Sequence, residues 1–308
     1  MLTWRWLADP DAATQARGSA AAMGLLVISL LVVVTVRGGW HWRQRHRTYP
    51  EGVRKPAPTY PWLNLHTPLF ATGYLVVAIL LVWSLAETWF FPALWPEGLS
   101  MHTWLAADWT PFLTTLWLAL ASCLCCLPAA LIWLEWGPQR LNAALYLPLI
   151  MPAMPLVAAQ YAALLHTRLD GTPVGLVWSH LLWVLPYMVL TLVGAYRGFD
   201  PRLMRSARAL GRTRLQACLA VKWPMLLRPI LATLAVGFAV SVAQYLPTLF
   251  AGGGRFVTVT TEAVALSAGG NRRVLAVQAV LQIALPMAAF ALAGLMPYWA
   301  GKHRKGLR

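Results

Sequence analysis

Acidic side chains are scarce. Ten of the 308 residues are Asp or Glu, against 25 Lys and Arg, and charged residues make up only 11% of the chain. A soluble domain carries about a quarter. The deficit runs along the whole chain, which excludes one apolar domain beside one polar domain. Carboxylates buried at mid-membrane, the mark of ion-driven carriers, are missing. Of the ten acids, only Glu87 falls within an apolar run, near its end. No Gly-x-x-x-x-Gly-Lys loop occurs, so the chain does not hold ATP by that device. Active transport would have to draw its energy from another chain.

Cysteine is sparse as well. Cys123, Cys125 and Cys126 share one apolar run and Cys218 lies in a basic stretch. Cys-x-Cys-Cys in a helix spreads its thiols over different faces with no histidine near, so packing is expected rather than zinc or a disulfide framework. His41, His46 and His66 share a loop without matching carboxylates, and no metal site is expected there. No cofactor and no catalytic constellation is read from the chain. An integral membrane enzyme would need His and Asp clustered near one face.

What is abundant is apolar sequence, 59% of the residues. About 20 apolar residues cross a hydrocarbon core as a helix. Seven runs have that character: 19–36, 69–90, 110–133, 141–165, 176–196, 229–249 and 275–299. The expected fold is all-α, a polytopic membrane bundle of about seven spans. The first run starts late and is followed by a basic stretch, so it reads as a span and not as a cleaved signal.

Net charge is +15. The basic residues cluster in short loops between apolar runs, which points to membrane topology and away from nucleic acid. With the loop after the first run inside, 19 Lys and Arg lie inside and 6 outside. The expected orientation is N-terminus out and C-terminus in.

The stretch from Phe199 to Ile230 reads FDPRLMRSARALGRTRLQACLAVKWPMLLRPI. Asp200 suits an N-cap and Pro201 the first helical position. Gly211 suits the left-handed residue that ends a short helix. Thr213 suits a second cap, and Pro224 marks a break before the next span. A helix–glycine–helix hairpin on the inner face is predicted.

This loop resembles that of importer permeases of the ATP-binding-cassette (ABC) type, MetI-like membrane components. Their loop runs Glu-Ala-Ala, three residues, Gly, nine residues, Ile-x-Leu-Pro. Here Arg205-Ser206-Ala207 occupies the triplet, Gly211 the glycine position, and Val221-Lys222-Trp223-Pro224 the end, without a gap. Leu185-Pro186-Tyr187 and Asp200 also look like the family. Arg205 departs from the usual glutamate and Ser206 from alanine. The resemblance covers the last six runs, residues 68 to 299. It implies a six-helix core in residues 57–308 and a coupling loop within 197–228. An N-terminal helix and basic loop in residues 1–56 are added to that core. The resemblance also implies partners: a cytoplasmic ATP-binding subunit, a periplasmic substrate-binding protein, and a second permease half, in the bacterial inner membrane. Arg205, Ser206, Ala207, Gly211, Val221 and Pro224 would meet the ATPase.

Two further features bear on architecture and path. Leu7–Trp40 aligns without a gap on Leu266–Trp299, with Arg43 on Lys302 and Arg45 on Arg304. The first helix thus resembles the last helix of a permease half, as in fused iron, thiamine and polyamine-type permeases. It is expected to lie outside the six-helix core. Among the few polar residues of the spans, Gln160, Tyr161, Gln244 and Tyr245 are the candidates for the translocation path, with Gln244 and Tyr245 expected mid-span. His180 and Gln278 read as interhelical packing bonds. The competing class is a channel or secondary carrier.

Overall fold

A computed structural model of the chain describes residues 12–45, 66–87, 89, 93–138, 142–269 and 271–300. The expected boundary at 56/57, Leu7, His46, and the basic residues Arg47, Arg54, Lys55, Arg140, Lys302, Arg304, Lys305 and Arg308 lie outside the described residues. Within them the chain is a helical bundle, and one antiparallel bridge joins Ala86 to Leu99. Hydrocarbon offers no partner to a free N–H or C=O, so helices, which satisfy their own backbone, are what such a sequence builds.

The order begins with α1 (Ala12–Arg45), α2 (His66–Leu85), a short α3 (His102–Leu105) and α4 (Thr110–Trp136). Three pieces follow, α5 (Asn142–Leu145), α6 (Leu147–Ile150) and α7 (Ala153–Thr167), then the long α8 (Pro173–Arg197). The hairpin holds α9 (Pro201–Ala209), α10 (Arg214–Ala217), a π-helical turn at Cys218–Lys222 and α11 (Trp223–Met225). The chain ends with α12 (Leu227–Val242), α13 (Leu246–Gly252), α14 (Val259–Ser267) and α15 (Arg272–Ala300).

Every apolar run meets a helix. Three helices, α4, α8 and α15, are each long and apolar enough to cross a membrane alone. The stretch Arg214–Met225 with α12 passes the same test as a pair bent by 80°. Three runs differ in detail from the sequence reading. The second ends at Leu85, where Ser100 N–H bonds the Leu85 carbonyl at 2.7 Å and Glu87 N–H bonds Gly98 at 2.9 Å. Glu87 therefore sits beyond the helix, not within it, and its carbonyl accepts Arg273 Nη1 at 2.6 Å. The fourth run is broken into α5, α6 and α7, with Pro148 in the first turn of α6 and Pro152 capping α7. The sixth stops at Val242 and resumes as α13 with Pro247 in its first turn. Proline lacks the donor and its ring collides with the carbonyl four residues back, here Ala243. Gln244 and Tyr245 consequently occupy a helix break, not the middle of a continuous span.

Helices α4, α8 and α12 pack mutually, α15 lies on α12 and α14, and α2 lies on α15. Leu118, Leu176, Val184, Met188 and Leu192 are fully enclosed between them. Lipid is as apolar as these side chains, so close fit and internal hydrogen bonds hold such a bundle rather than escape from water. Gly237 shows the fit. A Cβ placed there would stand 2.9 Å from Met188 Cγ and Sδ, so glycine lets α12 and α8 approach. The thiols of Cys123 and Cys126 reach the carbonyls of Leu234 on α12 and Leu181 on α8, while Cys125 faces outward. The faces separate as helical geometry requires. α1 meets the bundle at α6 and α7.

Candidate functional site

Helix α8 ends at Arg197 and the chain enters the hairpin through Gly198, Phe199 and Asp200. The Asp200 carboxylate accepts Arg202 N–H at 2.8 Å and Pro201 opens the first turn of α9. At the far end Gly211 adopts φ +83°. Its N–H bonds Arg208 and the Arg212 N–H bonds Ala207, closing the last carbonyls of α9 in a left-handed cap. Thr213 then caps α10 reciprocally with Gln216, each side chain bonding the other's backbone N–H, at 3.3 and 3.0 Å.

The second arm runs on through the π turn to Met225, longer than a single short helix. The widened turn falls just before Pro224, whose ring would strike the Ala220 carbonyl in a regular helix. Pro224 thus lies inside the arm, in the first turn of α11, and the break falls at Leu226. Arg205, Ser206 and Gly211 are exposed, Val221 and Pro224 are half-buried, and Ala207 faces inward. Leu210, beside the glycine at the tip, is 84% exposed, so an apolar side chain stands free at the turn.

A group that the sequence reading passed over fixes this hairpin to the bundle. Glu135, in the last turn of α4, accepts Lys222 Nζ at 2.7 Å, Arg214 Nε at 2.8 Å and the Tyr196 hydroxyl at 2.7 Å. Its own carbonyl accepts Arg214 Nη2 at 2.6 Å. The partners stand 61 to 87 residues away in sequence, which is why no local motif reveals them. The signal available was a lone acid at the end of an apolar run facing a basic stretch.

The path candidates separate. Gln160 on α7 is buried and donates to the Ser179 carbonyl at 2.9 Å. Gln244 is buried in the break, with Nε2 3.5 Å from the His180 carbonyl. Their Oε1 atoms have no protein partner. Tyr161 stacks edge-on against Phe250, and Tyr245 is half-buried. Gln160 and Gln244 thus address adjacent carbonyls of α8. His180 lies between Ser241 at 2.8 Å and Thr248 at 3.0 Å, joining α8 to α12 and α13. Gln278 is buried in α15. A groove of about 330 Å³ between α4, α12 and α15 is walled by apolar residues such as Leu116, Leu120, Phe238 and Met296. It suits hydrocarbon and not a polar solute. Among the described residues no group of three His, Cys, Asp or Glu is placed to hold a metal ion.

The fold and hairpin define a class: an all-α polytopic membrane bundle that presents a capped helix–glycine–helix element at one end. No protein-family model matches the chain. It is 42% identical, over its full length, to an Escherichia coli K12 protein named inner membrane ABC transporter permease protein YnjC. It is 20% identical over 52% of its length to a Haemophilus influenzae protein named spermidine/putrescine transport system permease protein PotC. The chain spans 57% of the length of the first relative, and its match to the second covers 62% of that protein. The chain is thus similar, from end to end, to an ABC transporter permease.

Proposed function

We propose that the chain is a transmembrane permease subunit of an ABC importer in the bacterial inner membrane. The bundle forms one side of the translocation path, and the hairpin from Asp200 to Pro224 couples it to a cytoplasmic ATP-binding subunit. The observation that carries this reading is the hairpin itself. It is rigidly capped at both arms, free at its tip, and built on the glycine spacing that importer permeases share. Arg205, Ser206 and Gly211 supply the exposed docking surface, with Leu210 beside them. Ala207, Val221 and Pro224 hold its shape. The orientation is N-out, C-in, which puts the hairpin in the cytoplasm with most basic loops. Residues 57–308 are the permease core and residues 1–56 an added helix and basic loop.

In this reading the chain has no ATP site and catalyses nothing itself. A periplasmic binding protein delivers the substrate and a second permease half, a separate chain or a second copy, completes the path. Gln160, Tyr161, Gln244 and Tyr245 face that path when the helix break at 243–245 opens. A break near one end of a span suits a gate, since unwound backbone is tolerated where it borders a cavity.

Purifying the chain in detergent together with the chains that accompany it tests the proposal. An accompanying ATP-binding subunit and MgATP hydrolysis by the complex are expected. A complex without such a subunit contradicts the importer reading and returns the channel or secondary-carrier alternative.

A further inference from the structure

The hairpin is continuous in sequence with two helices, α8 before it and α12 after it. Helix α4 does not adjoin it in sequence, yet Glu135 of α4 bonds both Arg214 and Lys222 of the hairpin. The Glu135 side chain is 6% exposed. Oε2 takes Lys222 Nζ and the Tyr196 hydroxyl, and Oε1 takes Arg214 Nε. The Arg214 guanidinium also stands 5.5 Å from the Trp136 ring, and the Lys222 ammonium 3.7 Å from the Tyr196 ring.

The two ion pairs are unequal. The Arg214 side chain is 51% exposed, so its charge is solvated and its pairing contributes little by itself. Lys222 is 12% exposed against a carboxylate at 6%. A desolvated pair of that kind is strongly unfavourable to separate, because each charge is left uncompensated. Arg214 and Lys222 bracket the second arm over two turns of helix. One carboxylate thus grips that arm at two points about two turns apart, and it does so from the last turn of a different span.

We propose that Glu135 is the positioning residue through which a displacement of the hairpin reaches α4. With it, the arm, α4 and the end of α8 move as one body. Without it, a stroke enters α8 and α12 through Phe199 and the bend at Leu226, and reaches α4 only by the non-directional apolar packing of Leu127, Leu131 and Leu134 beside Trp223 and Leu226. The proposal rests on the coupling role of the hairpin given above and adds the route by which a third helix is engaged.

The test uses the full chain with its copurified ATP-binding subunit in lipid nanodiscs, followed by hydrogen exchange before and after MgATP and vanadate. In the wild type, nucleotide should change exchange both in residues 201–225 and in residues 130–136. Glu135→Gln keeps the shape and loses the charge. It should speed exchange of 214–225 about tenfold or more and keep the nucleotide response of 201–210. It should lose the response of 130–136. A merely structural contact would not lose that last response selectively. Lys222→Met, which leaves Glu135 its other partners, should lose it as well. Full transmission to 130–136 in either variant overturns the proposal, even where the other fails to accumulate. A wild type whose hairpin does not respond to nucleotide contradicts the coupling role itself, and the proposal with it.

Discussion

Replacing Gly211 by valine tests the turn with the fewest side effects. The residue sits at φ +83°, and a Cβ there would meet no heavy atom within 4 Å. Steric collision with neighbours is therefore absent, and the cost is that of the backbone alone. Holding a β-branched L-residue in this region costs about 1–2 kcal/mol. Since about 1.4 kcal/mol is a factor of ten, the native turn loses roughly five- to thirtyfold of its weight against opened alternatives. No span is altered, and the Glu135 contacts retain the second arm, so insertion and assembly of the bundle should persist. The first arm, with exposed Arg205 and Ser206, should lose its fixed placement. Hydrolysis of MgATP by the complex, measured with and without the substrate-loaded binding protein, should lose its stimulation. Gly211→Asn is the control, because asparagine tolerates the left-handed region, and it should retain most of the stimulation. Full stimulation in Gly211→Val would refute the reasoning, since the geometry of the turn would then be irrelevant to coupling.

Other outcomes follow from the same structure. Thr213→Ala removes a reciprocal cap and should loosen α10 by about 1 kcal/mol, seen as faster tryptic cleavage at Arg212 and Arg214 in inside-out vesicles; unchanged cleavage counts against the cap. Gly237→Val drives a side chain into Met188 and should cost about 1–3 kcal/mol, lowering the Tm in detergent; Met188→Ala in the same chain should recover part of it, and no recovery means the contact is not the cause. Alkaline phosphatase fused after Lys55 should be inactive and after Arg168 active; the reverse pattern contradicts the N-out orientation.

The local chemistry of the hairpin was readable residue by residue. Asp200, Pro201, Gly211 and Thr213 each stand where their backbone preferences placed them, because caps and left-handed turns depend on a few neighbours only. The seven apolar runs located the helices for a similar reason. The breaks at 146–152 and 243–245 were harder to place, since proline both opens helices and kinks them, and the choice depends on packing. Pro224 illustrates this: it lies within the arm because the π turn before it absorbs the clash. The Glu135 contacts could not be read at all. They join three segments far apart in sequence, and a single glutamate at the edge of a span looks the same whether it faces lipid headgroups or two buried partners. The burial of Gln160 and Gln244 against adjacent carbonyls of α8 likewise depends on how α7 and α13 dock there.

The proposed coupling stands on docking of the hairpin to an ATP-binding subunit, and site-directed crosslinking can detect that contact. In a chain whose exposed Cys125 is replaced by serine, Ser206→Cys is treated with a bifunctional thiol reagent in membranes that hold the assembled complex. An adduct with the ATP-binding subunit whose yield changes with MgATP and vanadate is expected, and none from Leu94→Cys in the exposed stretch between α2 and α3. No adduct from Ser206→Cys, or an equal adduct from Leu94→Cys, would contradict the docking.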